Sequence, residues 1–377
     1  MYVQAHELFK RFLAGFEKQP EASIVHSLAE SPKLSDFIDA LDPNMSLDWS
    51  ARDFQGLPEL RQKILHRTNT AGVCQLENVL VTAGTAEANF LCLSQLVQPH
   101  DELIVDVPGW PQPLVLGEAI GAKVKTLTRD ENRSWQIDLN QLSDLISNRT
   151  KLIFICNPNN PTGQILQKNE LEEIIRLADK VGAYVLCDEV YAGLEWNTDE
   201  LPRVANMYER GISTGSVSKV LGLQGLRLGW LICRDKQLVF DAMVLREDTS
   251  EIMNVMGEAI ANVALDDPYY DRAIRKARQA GLHNLALLDE FIKNRAELEW
   301  QKPAAGLIGF CRLHMNIDSS HLAEQLIKSP YRTFVMPGSA YGYPQYLRLG
   351  FGGKADNALE DGLRRLQSCL DKLSKYQ

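Results

Sequence analysis

Short apolar runs alternate with stretches of helical periodicity along most of the chain. The pattern predicts strands at residues 78–81, 103–106, 123–128, 152–156, 184–187, 212–216 and 228–233, with helices at 86–97, 114–120, 139–146 and 169–180. Nearly continuous apolar strands between helices indicate a sheet covered on both faces, and such sheets are mostly parallel. The expected fold class is therefore α/β, and a ligand would bind beyond the carboxyl ends of the strands.

The two ends of the chain have a different pattern. Apolar residues at helical spacing predict an amphipathic N-terminal helix that packs on the core or on a partner subunit: Phe9, Phe12, Leu13 and Phe16. Residues 21–50 are predicted to be irregular, 237–265 helical and 272–297 helical. The remainder alternates again, with strands to 315 and around 334 and 347, and helices at 320–327 and 355–375. We predict an N-terminal segment (1–48), a large domain (49–270) and a small α+β domain (271–377).

Composition narrows the possible partners of this chain. The 377 residues carry a formal net charge of -9, which argues against a basic nucleic-acid-binding face. No apolar run is long enough to span a bilayer. The seven cysteines are scattered without a C-x-x-C pair, and the seven histidines form no metal-ligand pattern. We expect a cytoplasmic protein with reduced thiols, and with no membrane, nucleic-acid or metal partner.

One lysine follows an apolar strand and precedes a turn rich in glycine. The segment runs Ser216-Val217-Ser218-Lys219, then continues through Gly222 and Gly225 to Arg227. Glycines permit a tight backbone, and the serines and the arginine are phosphate donors. A lysine in such a place is suited to Schiff-base chemistry. Most lysines in loops are simply surface residues, so this motif alone leaves the function open.

Two further strands end in polar residues of a chemically useful kind. Asp188 ends an apolar strand, where a carboxylate would be buried and in need of a cationic partner such as a protonated pyridine nitrogen. Tyr191 follows three positions later, and Asn160 lies in the turn Asn157-Pro158-Asn159-Asn160-Pro161. Asn160 and Tyr191 are hydrogen-bond donors for a ring oxygen. The commoner alternatives are a cap for Asp188 and a rigid turn around Asn160.

Two strand ends complete the set. Gly84, Thr85 and Ala86 lie between a strand and a helix, where free backbone N–H groups can bind phosphate. Trp110, between Pro108 and Pro111 after another strand, can stack on a flat heterocycle. Each motif has an ordinary structural explanation when it is taken alone.

Together the five motifs resemble the fold-type-I pyridoxal-phosphate (PLP) enzymes, and specifically the class I and II aminotransferases. The resemblance runs from about Trp49 to Phe351, and it implies a mostly parallel seven-stranded sheet between helices with a smaller α+β domain. It implies PLP as cofactor, amino acid and 2-oxo acid substrates, and a homodimer. The implied catalytic residues are Lys219, Asp188 and Tyr191. The implied cofactor-binding residues are Gly84, Thr85, Ala86, Trp110, Asn160, Asp188, Tyr191, Ser216, Ser218, Lys219 and Arg227. Arg348, in Tyr346-Leu347-Arg348-Leu349-Gly350, resembles the arginine that binds the substrate carboxylate, with Asn160 and Trp110 beside it.

The chain departs from the family pattern at two places. Ala51 stands where a tyrosine usually reaches the phosphate of the neighbouring subunit, and Trp49, Arg52 or Phe54 are candidates to replace it. The glycine-bearing substrate loop is also not recognisable within residues 29–41. Carboxylates outside the motifs, at Glu30, Asp36 and Glu195, are candidates to recognise a cationic side chain, although loop carboxylates are more often solvated.

Three functions are compatible with these residues. The first is an aminotransferase with a ping-pong mechanism through a Lys219 Schiff base. The second is a PLP-dependent lyase or cyclase on the same fold, which would use the same residues for elimination. The third is a non-catalytic regulator, which retention of Lys219, Asp188 and Arg348 disfavours. A nucleotide-dependent dehydrogenase is not supported, because no G-x-G-x-x-G follows a strand.

Overall fold

The computed structural model describes residues 3–48, 53–198, 200–354 and 357–375. In that part of the chain the helices are α1 Glu7–Glu17, α2 Pro58–Arg67, α3 Thr85–Leu96, α4 Gln112–Ile120, α5 Leu139–Leu145, α6 Lys168–Asp179, α7 Val204–Met207, α8 Lys236–Leu245, α9 Val255–Ala264, α10 Asp267–Lys293, α11 Ser319–Leu326 and α12 Asn357–Ser374. The strands are β1 Ala22–Ser23, β2 Val25–Ala29, β3 Val79–Thr82, β4 Glu102–Val107, β5 Lys123–Asp130, β6 Gln136–Ile137, β7 Thr150–Cys156, β8 Tyr184–Asp188, β9 Gly211–Ser216, β10 Gly229–Cys233, β11 Leu298–Trp300, β12 Ile308–Leu313, β13 Thr333–Phe334, β14 Met336–Pro337 and β15 Tyr346–Gly353.

A large sheet in the order β3-β10-β9-β8-β7-β4-β5-β6 forms the centre of the fold. The pairs from β9 through β8, β7 and β4 to β5 are parallel, whereas β10 is antiparallel to both of its neighbours. Apolar clusters cover the two faces, one centred on α3 and the other on α6. The predicted mostly parallel sheet between helices is confirmed, and the two-residue strand β6 adds an eighth strand to the seven expected.

A smaller sheet in the order β11-β12-β15-β14 lies against α10, α11 and α12. Strand β2 also joins this sheet, where it pairs in parallel with β15. The prediction of an irregular segment from 21 to 50 is therefore wrong for residues 25–29. Their side chains alternate between buried and more exposed positions, but it is pairing with β15 that makes the segment a strand.

Two other predicted elements differ from the structure. The predicted helix over 237–265 is two helices, α8 and α9, because the chain turns at 246–254. Arg246 ties this turn to the rest of the fold, since its buried guanidinium donates to the carbonyls of Val81 and Phe54. The long helix ends at Lys293 rather than at 297, and the chain then enters β11. The predicted domain bounds stay a prediction.

The N-terminal helix α1 packs where the prediction placed it, on the core of this chain. Leu8 is buried against Phe334, Met336 and Ala340. Other apolar residues of α1 remain partly exposed, with Phe9 at 54% and Leu13 at 50% of their full surface. Within the described residues no helix combines the length and the apolar character needed to cross a membrane.

Candidate active site

The carboxyl ends of several strands meet at one edge of the large sheet. The strand register places Thr82 opposite Gly229 and Gly229 opposite Ser216, while Asp188 lies opposite Thr214. The turns that follow β3, β8 and β9 therefore converge. These turns hold most of the residues that the sequence predicted, because parallel strands end at a common edge.

Lys219 lies in the turn that follows β9, two residues after Val217. Its backbone carbonyl accepts a hydrogen bond from the N–H of Ala29 at 2.8 Å, which ties the turn to the end of β2. Its Nζ lies 5.9 Å from the centroid of the Tyr191 ring. The lysine is only partly buried, so its amine is accessible to a small molecule.

Asp188 is a buried carboxylate held by two hydrogen bonds. Asn89 Nδ2 donates to Oδ2 at 3.2 Å, and the N–H of Val190 donates to Oδ1 at 3.3 Å. Burial raises the pKa of Asp188 to about 6, against the lowering effects of these two donors and of the charge of Lys219. A positive group placed against this carboxylate, such as a protonated pyridine nitrogen, would restore its ionised form.

Asn89 was not predicted to belong to the site. Its side chain is fully buried. Its Oδ1 accepts a hydrogen bond from Thr214 Oγ1 at 3.0 Å, and its Nδ2 donates to Asp188. Gln112 was also missed: it accepts from Trp110 Nε1 at 3.3 Å and donates to the carbonyl of Ala86 at 2.7 Å. The available signal for Asn89 was a polar residue among the apolar residues of α3, because buried amides need partners.

The residues predicted to bind phosphate lie in tight contact with one another. Gly84 precedes α3 with φ +86°, and a Cβ there would lie 2.6 Å from Arg227 Nη2. A Cβ on Gly229 would likewise lie 2.7 Å from the N atom of Thr85. The N–H of Ser218 donates to Ser216 Oγ at 3.3 Å. Glycine is therefore required at 84 for the guanidinium of Arg227 to reach the start of α3.

Three buried polar atoms at these positions have no hydrogen-bond partner within the described part of the chain. They are Thr85 Oγ1, the Tyr191 hydroxyl and Arg348 Nε. Buried polar groups are normally paired, so unpaired ones at the predicted positions are consistent with a ligand that binds there, and Arg348 also lines a cavity. A hydroxyl and a helix start suit a phosphate, the Tyr191 hydroxyl suits a ring oxygen, and the guanidinium suits a carboxylate. The residues present therefore fit PLP together with an amino acid.

Arg348 lies on β15 and is 6% exposed. Its Nη1 donates to the carbonyl of Val25 at 2.8 Å, and its Nη2 donates to Ser27 Oγ at 2.7 Å. Both partners are on β2, so the strand that the sequence did not predict orients this guanidinium. Among the described residues no carboxylate forms an ion pair with Arg348, which leaves the charge available to an anionic ligand.

A cavity of about 340 Å³ is lined by four of the predicted site residues, whereas Gly84, Thr85, Ala86, Asp188, Tyr191, Ser216, Ser218 and Arg227 are not among its lining residues. Lys219, Asn160, Trp110 and Arg348 all line it, together with Tyr341, which the sequence did not single out. The Tyr341 hydroxyl donates to Asn160 Oδ1 at 3.1 Å, and burial raises the pKa of Tyr341 to about 12. The hydroxyl is therefore neutral, and it orients the amide of Asn160 so that its NH₂ group is free to donate.

Several other predicted positions lie outside this cavity. Trp49, Ala51 and Arg52 fall outside the described residues, and Phe54 is 48% exposed. Glu30 pairs with Lys276 at 2.7 Å and with Lys354 at 3.3 Å, on the wall of a different cavity.

Glu195 corrects the expectation that the loop carboxylates are solvated. It is 1% exposed and accepts a hydrogen bond from the N–H of Gly193 at 3.0 Å. Asp36, by contrast, is exposed and accepts from the N–H of Lys33 at 2.8 Å, on the same separate cavity as Glu30.

These features are those of one class of protein, the fold-type-I PLP enzymes: the mostly parallel sheet, Lys219 at its edge and the hydrogen-bonded carboxylate of Asp188. Residues 50–366 match the family described as aminotransferase class I and II. The chain belongs to this family and is a PLP-dependent aminotransferase.

Proteins similar to this chain include two that are named as aminotransferases and one that is named as a synthase. The chain is 26% identical to an aspartate aminotransferase of Musicola paradisiaca over 85% of this chain and 81% of that one. It is 27% identical to capreomycidine synthase of Streptomyces vinaceus over 72% of this chain and 69% of that one. A PLP-dependent aminotransferase structure from Streptococcus suis superposes with a TM-score of 0.90 at 26% identity, covering 99% of each chain.

Proposed function

We propose that this chain transfers the amino group of an L-amino acid to a 2-oxo acid, with Lys219 as the residue that holds the cofactor and moves the proton. The observation that carries the proposal is the single cavity lined by Lys219, Asn160, Trp110 and Arg348. An amine and a guanidinium thus line one cavity, and among the described residues no carboxylate forms an ion pair with that guanidinium. An amino acid bound there would have its α-carboxylate on the cation and its α-carbon near the amine.

Asp188 is proposed to keep the pyridine nitrogen protonated. When bound, PLP supplies an electron sink for the electrons of the Cα–H bond, and a protonated ring nitrogen strengthens it. The buried carboxylate is suited to this role because burial strengthens its attraction to a cation. Asn89 orients the carboxylate, because its Nδ2 donates a 3.2 Å hydrogen bond to Oδ2 and not to Oδ1.

Lys219 is proposed as the general base and acid. Once the Lys219 amine is not bound to the cofactor, it takes the proton from the substrate Cα. It then returns this proton to the carbon on the cofactor side of the transferred nitrogen. The Tyr191 hydroxyl and the Asn160 amide are proposed as donors to the ring oxygen. Trp110 is proposed to stack on the ring, held in its orientation by the hydrogen bond to Gln112.

Gly84, Thr85, Ala86, Ser216, Ser218 and Arg227 are proposed to bind the phosphate. This group combines backbone N–H groups at the start of α3, three hydroxyls and one guanidinium. Ser218 is proposed to contribute less directly, since its N–H already donates to Ser216. Arg348 is proposed to bind the substrate carboxylate with the donors that β2 leaves free.

A half-reaction experiment tests the proposal. The holoenzyme is mixed with a panel of L-amino acids and followed by absorbance, and a 2-oxo acid is then added. The proposal expects conversion to the pyridoxamine form by at least one donor, reversal by the 2-oxo acid, and loss of both steps in Lys219→Ala. Full turnover in Lys219→Ala at the wild-type rate would contradict it.

A lyase or cyclase is the second candidate. The similarity to capreomycidine synthase favours it, and the same proposed residues would serve an elimination. It is distinguished in the same experiment, since ammonia release without the pyridoxamine form would identify a lyase. Formation of the pyridoxamine form with a new 2-oxo acid would identify the transaminase.

We also propose that the chain forms a homodimer. Phe240 and Val244 lie one turn apart on α8 and are each 53% exposed, and Met256 on α9 is 39% exposed. Apolar side chains at helical spacing on a surface favour burial against another chain. Light scattering after gel filtration would give twice the chain mass for a dimer, and the single-chain mass would contradict it.

A cytoplasmic location is proposed from the thiols. All seven cysteines are buried and unpaired. Proteins of oxidising compartments usually join such residues in disulfides. Recovery of the native protein in the cytoplasmic fraction of its own cells would support this location, and recovery in a secreted fraction would refute it.

A further inference from the structure

The cavity that holds Lys219 and Arg348 has an apolar side that the proposed roles do not use. Helix α1 supplies most of it, and three apolar residues of β2 and β14 complete it. The apolar lining residues of this side are Leu8, Phe9, Phe12, Phe16, Val25, Leu28 and Met336. A cavity of about 340 Å³ has room for a small ligand beyond the groups that bind a carboxylate.

The aromatic residues of α1 form one continuous face. Phe9, Phe12 and Phe16 are spaced three and four positions apart, so they lie on the same side of the helix. The Phe9 and Phe12 ring centroids are 6.5 Å apart, and those of Phe12 and Phe16 are 4.8 Å apart. The face is therefore a preformed aromatic wall.

Both ends of α1 are attached to the rest of the molecule. The Phe16 ring lies 5.3 Å from Phe334, between ring centroids, beside the small sheet. His6 lies 5.4 Å from Trp110, which follows β4 of the large sheet. The helix therefore contacts residues of both sheets, and its aromatic residues line the same cavity as Lys219 and Arg348.

The described residues that line the cavity carry no further charged group that could pair with a charged side chain of the substrate. Apart from Lys219 and Arg348, its ionisable groups are Tyr341, His6 and His26. Burial lowers the pKa of both histidines, and the charge of Arg348 lowers that of His26 further, so both are neutral at pH 7.

The carboxylates that the sequence suggested for a cationic side chain are elsewhere. Glu30 and Asp36 line a different cavity, and Glu195 is buried against the backbone of Gly193. A charged side chain buried without a partner is strongly unfavourable. An uncharged side chain, by contrast, gains by leaving water for the aromatic wall.

We propose that the amino donor of this enzyme carries an uncharged aromatic or large aliphatic side chain, which packs against the aromatic face of α1. The proposal rests on the proposed function, because it assumes that Arg348 binds the α-carboxylate and that Lys219 faces Cα. It makes Phe9, Phe12 and Phe16 determinants of specificity.

The first test is a donor panel with a fixed 2-oxo acid. L-phenylalanine, L-tyrosine, L-leucine and L-methionine are compared with L-aspartate, L-lysine and L-arginine by kcat/KM. We expect the best apolar donor to exceed every charged donor by about 10-fold or more. A charged donor that exceeds every apolar one overturns this inference and leaves transamination standing, whereas no transamination with any donor overturns both.

A matched pair of variants on α1 locates the effect. Phe9 lines the cavity and Leu13 does not, although their exposures are similar at 54% and 50%. Phe9→Ala is expected to lower kcat/KM for L-phenylalanine by about 10-fold, mainly through KM, with little change for L-alanine. Leu13→Ala is expected to behave as wild type. Equal effects of the two variants on L-phenylalanine would overturn the assignment.

A binding measurement is independent of turnover. Calorimetry of the holoenzyme with 3-phenylpropionate and with succinate compares two carboxylates that lack an amino group. We expect 3-phenylpropionate to bind about 10-fold more tightly, and Phe9→Ala to remove most of that preference. Tighter binding of succinate to the wild type would overturn the proposal.

Discussion

The side chain of Asn89 offers a direct test of how the fold controls the cofactor site. Asn89→Ala removes the 3.2 Å donor to Asp188 Oδ2 and leaves the backbone donor from Val190 in place. A hydrogen bond to a charged group contributes about 1.5 kcal/mol at the weaker end of its range. That energy corresponds to about one pH unit in the titration of the carboxyl group.

The expected effect depends on pH. Burial raises the pKa of Asp188 to about 6, so its ionised form is lost as the pH falls through that value. The proposed partner of the protonated pyridine nitrogen is this ionised form, so the variant should lose PLP affinity at higher pH than the wild type. We expect its Kd for PLP to be about eightfold weaker at pH 5.5 and nearly equal to the wild type at pH 8.

Titration of the apoprotein with PLP between pH 5.5 and pH 8 measures this effect. Gln95→Ala is the matched control, because Gln95 is also on α3 and donates to the carbonyl of Asp241 at 3.2 Å, away from Asp188. It should bind PLP like the wild type at every pH. A loss of affinity in Asn89→Ala that is the same at pH 5.5 and pH 8, or no loss at all, would refute the reasoning.

Three further substitutions have defined outcomes. Tyr191→Phe removes a hydroxyl without a protein partner among the described residues. It should change the free energy of unfolding by less than about 1 kcal/mol, while the pH midpoint of the bound cofactor's visible absorbance moves. Gly84→Ala places a Cβ 2.6 Å from Arg227 Nη2, so titrations should show weaker binding of PLP by about tenfold and unchanged binding of pyridoxal, which lacks the phosphate. Burial raises the pKa of Glu189 to about 7, so its contribution to stability is lost as the pH rises toward that value. Denaturant unfolding should therefore show that the free energy of unfolding of Glu189→Gln rises by about 2 kcal/mol relative to that of the wild type from pH 5 to pH 8. Equal stability differences at the two pH values would contradict this.

The large sheet could be predicted from the sequence because its strands are buried on both faces. Their apolar runs at 152–156 and 212–216 match β7 and β9 closely. Polar residues directly after such apolar runs are easy to recognise in the sequence, and Asp188 and Lys219 were predicted for this reason. The convergence of these turns then follows from the parallel arrangement alone.

Strand β2 could not be predicted in the same way. Its sequence Val25–Ala29 contains His26 and Ser27, and its pairing partner β15 is more than 300 positions away in the chain. Its role in orienting Arg348 depends on that pairing. A contact made only in the folded chain leaves no signal in the sequence of β2, although the strand β15 was itself predicted around residue 347.

The supporting residues of the site were hidden for a related reason. Asn89 lies in an otherwise apolar stretch of α3, where its fully buried position is known only from the fold. Tyr341 and Asn160 are brought together from positions 181 apart. Sequence reasoning found the residues proposed to contact the cofactor, whereas it missed those that orient them.

Reduction of the holoenzyme with borohydride shows which residue carries the cofactor. Borohydride fixes the cofactor to the amine that carries it, and peptide mass analysis then identifies the labelled residue. We expect one label per chain, on Lys219, and a loss of this label in Lys219→Ala. A label on another lysine of the wild-type protein, or no label after saturation with PLP, would contradict this expectation.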